Sequence, residues 1–191
     1  LVNNPQQANQ LARYTSAYWG QQPLTAPYYA GAIIVLFFSL GIAFADKKYV
    51  WWLVFISVFG IMLSWGKNFS GFNNFMFDYF PGYNKFRSVT FAVLLPLFAM
   101  NLLGFIGLEK LLNEGINKAN QKKVLIAVGS IAGLALLLLV TGGFGSFKSP
   151  IDEQLPNWLT QAMKQDRISL LRADAGRALF FIVAAAALLY L

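Results

Sequence analysis

The sequence predicts an all-α, polytopic transmembrane bundle, and three observations carry that prediction. Apolar residues make up 57% of the 191 residues and charged ones only 12%, against about 25% charged in an ordinary soluble domain. The apolar residues are gathered into blocks, so the positive mean hydropathy of +0.53 is not spread along the chain. Tyr28–Ala45, Tyr49–Gly66, Ser88–Leu108 and Val124–Phe147 each lack any charge, and each approaches or exceeds the roughly 18–20 residues that cross about 30 Å of hydrocarbon.

Taken in order, the expected spans are about 28–45, 49–66, 88–108 and 124–142, with a fifth at 175–191 cut by the chain end. The charge-free run Ala178–Leu191 would reach only about 21 Å as a helix, short of a crossing. The chain opens at Leu1 with neither Met nor a charged leader segment. Both ends therefore read as cut, and the whole is expected to be one transmembrane region of a longer polypeptide.

Basic residues set the orientation. The short connections Asp46–Lys48 and Glu109–Lys123 hold Lys47, Lys48, Lys110, Lys118, Lys122 and Lys123, six of the 15 Lys and Arg residues. The rest are spread over three longer segments, 1–27, 67–87 and 143–174, and the fifth run. By density the short connections are cytoplasmic and the long segments face out, which predicts a multi-pass membrane protein. Tyr49, Trp51 and Trp52 suit an interfacial belt beside the first connection. In the second, Glu109–Asn113 extends the third span until Gly115 ends it. Pro96 predicts a mid-span kink, and Asn101 an interhelical hydrogen bond or a polar lining. Gly129, Ala132 and Gly133 predict close helix packing in the fourth span.

Outside the membrane, Pro5 marks the start of a short helix over Asn4–Arg13, and Gly20, Pro23 and Pro27 break regular structure before the first span. From Pro156, apolar Trp158, Leu159, Ala162 and Met163 predict an amphipathic helix lying on the outer surface. The segment Trp65–Arg87, WGKNFSGFNNFMFDYFPGYNKFR, has four Asn residues and only Lys67, Asp78, Lys85 and Arg87 as charges. Its Phe, Tyr and Met residues suit partial immersion at the interface. The Pro81-Gly82 turn delivers Tyr83, Lys85 and Arg87 to the head of the third span. There the two cations either grip a phosphate oxygen or reach up to lipid headgroups. Arg172 and Arg177 approach the last run from the outer side and fit the same two readings, with an Asp174–Arg177 ion pair as the simplest role for the latter.

The chain has no Cys and no His. That removes thiol nucleophiles, disulfides, Cys/His zinc sites and His bases from this stretch. No cofactor is expected, and nothing supports a divalent metal. The net charge of +7 comes without a Lys/Arg cluster, so lipid phosphates rather than nucleic acid are the expected counterpart. Among the acids, Asp78 is the best placed for acid/base work because its neighbours are apolar or aromatic; hydrogen bonding within its loop is the plainer role.

MLSWGKNF, FDYFPGYNKFR, LLGFIGLEKLL and DRISLLRADAGRALFF, with YWGQQPLTAPYYAGAI before them, resemble in order the YfhO-type bacterial membrane proteins, especially those of Bacteroidetes. The resemblance implies a GT-C-like architecture in the bacterial inner membrane. It also implies transfer of a sugar from a polyprenyl-phosphate carrier to a cell-envelope polymer on the extracytoplasmic side. The catalytic Asp of such enzymes lies in the first large outer loop, so the base is expected outside this chain, which alone would be inactive. Implied partners are membrane lipids, the polyprenyl-phosphate sugar, the polymer acceptor and the rest of the same polypeptide. Lys85, Arg87, Arg172 and Arg177 would steady the leaving phosphate, and Trp19, Trp65 and Tyr83 would hold the sugar or the prenyl chain. A transporter or flippase is the competing expectation, followed by a structural membrane protein.

Overall fold

The computed structural model describes residues 29–85, 89–144, 147, 152, 153 and 156–190. Among them are six α-helices and no strand: α1 Ala32–Phe44, α2 Lys47–Ser64, α3 Ser70–Tyr79, α4 Leu94–Glu114, α5 Gln121–Thr141 and α6 Asn157–Leu189. Three of these helices are long and apolar enough to cross a membrane: α2, α4 with its lead-in from Phe91, and α5. That places the chain among multi-pass membrane proteins. The packing falls into two units, residues 29–131 with 188–190, and residues 132–187.

In the first unit α1 packs chiefly on α4. The helix starts later than the apolar run because Gly31 sits at φ 89 outside it, and its 13 residues reach about 20 Å. Leu36, Leu40, Gly41 and Phe44 form its buried face, at the i, i+4, i+8 spacing of one helix side. The crossing is backbone on backbone. A Cβ built at Gly107 would lie 2.3 Å from Gly41 Cα, and one at Gly41 would lie 2.3 Å from the Leu103 carbonyl oxygen. Only glycine permits that approach. The close packing expected at Gly129 and Gly133 is not found among the described residues: both are exposed, with open space where a Cβ would go. The helices instead close on Gly41, Gly104 and Gly107.

α2 runs beside α4, with Leu53 packing on Ala99 and Leu103 and Gly60 facing Pro96. Pro96 does not kink the middle of a span. It occupies the third position of α4, after a 3₁₀ stretch over Val89–Val93, where a missing backbone N–H breaks no intrahelical bond. Among the described residues Asn101 makes no hydrogen bond to another helix; its amide donates to the Leu97 carbonyl of its own helix at 2.7 Å.

The two lysine-rich connections meet at one end of this unit. Lys110 Nζ donates to Asp46 Oδ1 at 2.9 Å, and Lys123 lies over the Phe44 ring, 5.7 Å from its centroid. The hydrogen bond and the positive charge of Lys110 hold the Asp46 carboxyl below its usual range. Beneath them Phe44, Leu111 and Val124 share one buried cluster. Gly115, at φ 67, ends α4 as expected. α2 starts at this end and α4 finishes there, so Trp65 and the segment after it lie at the other.

In the second unit the surface helix and the last apolar run are one continuous helix, α6, of 33 residues. It extends about 50 Å, longer than the bilayer core, in place of an outer loop over 143–174 followed by a separate span. No proline interrupts it after Pro156. Met163, Arg167, Leu171, Ala175 and Ile182 form its buried stripe.

Candidate functional site

The aromatic segment is built as a folded cap on the end of α2. Trp65 closes that helix, Gly66–Phe69 forms a 3₁₀ turn, and α3 follows. Aromatic contacts run down the junction. Phe55 stacks on Phe59 at 5.6 Å and Phe59 meets Phe72 edge-on at 6.1 Å. Phe72 stacks on Phe69 at 5.5 Å, and Phe69 meets Trp65 at 6.0 Å. Ring pairs of this kind add about 0.5–1.5 kcal/mol each beyond their buried area. Only Met76 of α3 is buried. Phe75, Phe77, Tyr79 and Phe80 point away from the protein, as expected of side chains seated in the interfacial layer of a bilayer.

After α3 the chain turns at Pro81-Gly82, with Gly82 at φ 83. The Tyr83 hydroxyl folds back and donates to Asn73 Oδ1 at 2.8 Å, and its partial burial raises the phenol above its ordinary value. The turn is thereby fixed to α3, and Lys85 ends it as an exposed cation. Trp65 and Tyr83 thus belong to one folded segment with Lys85. Asp78 is exposed on α3. Arg87 and Trp19 lie outside the described residues.

Arg172 and Arg177 belong to the second unit. Arg177 pairs with Asp174 at 3.0 Å on the exposed side of α6. Arg172 Nη2 donates a long bond of 3.4 Å to the Val140 carbonyl, one of the carbonyls that a helix end leaves without an intrahelical partner. Its guanidinium lies against Gly142, at φ 72, where a Cβ would come within 3.0 Å of Nε. Arg172 therefore caps α5 with one arm and borders, with Gln165, Ile168 and Ser169, an open groove of about 390 Å³. That set offers donors to an anion.

The most deeply buried charge was not singled out from sequence. Arg167 is 1% exposed and Asp152 2%. Arg167 Nη1 donates to Asp152 Oδ2 at 2.5 Å and Nη2 to Oδ1 at 3.1 Å, a bidentate pair. Nη1 also donates to the Phe147 carbonyl at 2.6 Å. Phe147 is buried at φ 53, so Arg167 ties a residue in the left-handed backbone region to α6. The available signal was a guanidinium at the i+4 spacing of Met163, Leu171 and Ala175, in register with the buried stripe.

Among the described residues no three Asp or Glu side chains cluster as metal ligands would. No protein-family model, curated protein or solved structure matches the chain.

Proposed function

We propose that the chain is the membrane part of a GT-C-like glycosyltransferase that moves a sugar from a polyprenyl-phosphate carrier to a cell-envelope acceptor at the extracytoplasmic surface. The resemblance to YfhO-type proteins supplies the reaction class. The observation that carries the reading is the folded segment 65–85. A plain connector would not tie a Pro-Gly turn back to α3 through Tyr83 and Asn73, leaving Lys85 exposed beside a surface of outward-facing aromatics. In this reading the aromatics sit among lipid tails and headgroups, and Lys85 meets the carrier phosphate as negative charge develops on it.

A transporter is less well supported, because the polar side chains described inside the long helices are turned to their own backbones. Ser57 donates to the Leu53 carbonyl at 2.7 Å, as Asn101 does to Leu97. The test is turnover of a labelled polyprenyl-phosphate sugar by the full-length protein. Lys85→Ala is expected to lower that turnover roughly 100-fold, the usual loss when a charge-stabilising donor is removed. Unchanged turnover in a folded variant would remove Lys85 from the site. Absence of any transfer by the wild-type protein would remove the reaction.

A further inference from the structure

The lysine-rich end of the first unit carries two grooves of opposite character. One, of about 340 Å³, is bordered by Asp46, Glu109, Lys110 and Glu114 with Ile106 and Asn113. Its one lysine, Lys110, is already paired with Asp46. The other, of about 550 Å³, is bordered by Ile116, Asn117, Lys118, Gln121, Leu189 and Tyr190, with no acid among them. All three acids of this end, Asp46, Glu109 and Glu114, thus border the first groove, and none borders the second.

The second groove is amphiphilic and its wall is rigid. Ile116 and Leu189 supply apolar surface and pack on the Leu40–Phe44–Leu111 cluster. The polar wall is a preformed turn. Buried Asn120 donates to the Gly115 carbonyl at 2.6 Å and accepts from the Asn117 amide at 2.9 Å, while Asn117 Oδ1 accepts from the Ala119 amide at 2.9 Å. Lys118 is therefore displayed from a loop that needs no ordering on binding. Lys122 and Lys123 follow in the first turn of α5, which contains no acid. Positive charge is disfavoured in that position, so a negative group nearby would relieve it.

We propose that this groove seats the phosphate headgroup of an anionic phospholipid, with Lys118 as the main cationic contact, Lys122 beside it, Gln121 and Tyr190 as polar contacts, and Ile116 and Leu189 against the glycerol and upper acyl chain. The assignment is independent of the sugar-transfer reading, since it concerns the opposite end of the long helices. A free phosphate ion offers the same oxygens but would gain nothing from the apolar floor.

The test uses full-length protein in nanodiscs or micelles containing equal phosphatidylglycerol and phosphatidylcholine, with retained lipid counted by native mass spectrometry. Wild-type protein is expected to retain phosphatidylglycerol preferentially. Lys118→Gln is expected to reduce that retention about fivefold and Lys118→Gln with Lys122→Gln about thirtyfold, from the usual worth of a lysine near an anionic headgroup. Lys164→Gln, in the other unit, is expected to leave it unchanged. Equal retention by wild type and Lys118→Gln would overturn the assignment, as would parallel loss of both lipids. Should the variants fail to fold, the wild-type melting temperature still decides. It is expected to rise with phosphatidylglycerol over phosphatidylcholine and not with inorganic phosphate; a rise with phosphate of the same size would mean that a small anion, not a lipid, fills the groove.

Discussion

Replacing Gly107 by valine is expected to lower the stability of the helical unit by roughly 3 kcal/mol or more, the upper range for overpacking. The atoms in the way are backbone: a single added Cβ would meet Gly41 Cα at 2.3 Å and Gly41 N at 2.6 Å. A flexible side chain can swing aside, but two helix backbones can only separate. Separation would also uncover Leu40, Leu103 and Leu111, each at most 1% exposed. Gly129→Ala serves as the contrast, since a Cβ there meets nothing among the described residues, and helix propensity favours Ala. Thermal unfolding of the full-length protein in detergent checks both. Wild-type melting of Gly107→Val would mean that α1 and α4 do not cross at these glycines.

Asp152→Ala is expected to cost about 3–5 kcal/mol, because it strips a buried guanidinium of its carboxylate partner. The loss should appear as a lower melting temperature of the full-length protein in detergent, since Arg167 holds both Phe147 and Asp152. Replacing both partners, Arg167→Leu with Asp152→Leu, is expected to recover much of the loss, since neither the guanidinium nor the carboxylate then stays in the interior. If Asp152→Ala alone were neutral, the buried pair would not be a source of stability in this unit.

Much of the scaffold was legible in the chain, for identifiable reasons. Long charge-free runs leave only one economical way to satisfy their backbone in lipid, so α2, α4 and α5 follow from composition. Gly115 stopped α4 because a residue at positive φ is where a helix commonly ends. The lysines gathered at one end because one connection follows α1, the other follows α4, and those two helices pack together with Asp46 against Lys110. Spacing of three between Asp174 and Arg177 was enough to expect their ion pair.

The rest depended on partners far away in sequence. Gly41 stands alone in α1, and only its position opposite Leu103 and Gly107, some sixty residues later, turns it into a crossing point; the Gly129–Gly133 spacing looked more suggestive and is open. Pro96 reads as mid-span when the span is drawn from hydropathy, but the helix proper begins only two residues before it. Arg167 looked like one of several loop charges until α6 proved continuous and put it on the buried stripe. At the candidate site, the tie from Tyr83 to Asn73 closes ten residues of chain through one side-chain bond, which no periodicity announces.

In the proposed topology two lysine-rich connections share one side of a membrane and the aromatic segment lies on the other. Because the chain has no Cys, single thiols report this directly. Asn74→Cys on α3 and Lys118→Cys beside α5 would each be introduced into the full-length protein, in a background without other thiols. Intact cells would be treated with a membrane-impermeant maleimide. Labelling of Asn74→Cys in intact cells, with Lys118→Cys labelled only after permeabilisation, is the predicted result. Labelling of both thiols from the same side would contradict the topology.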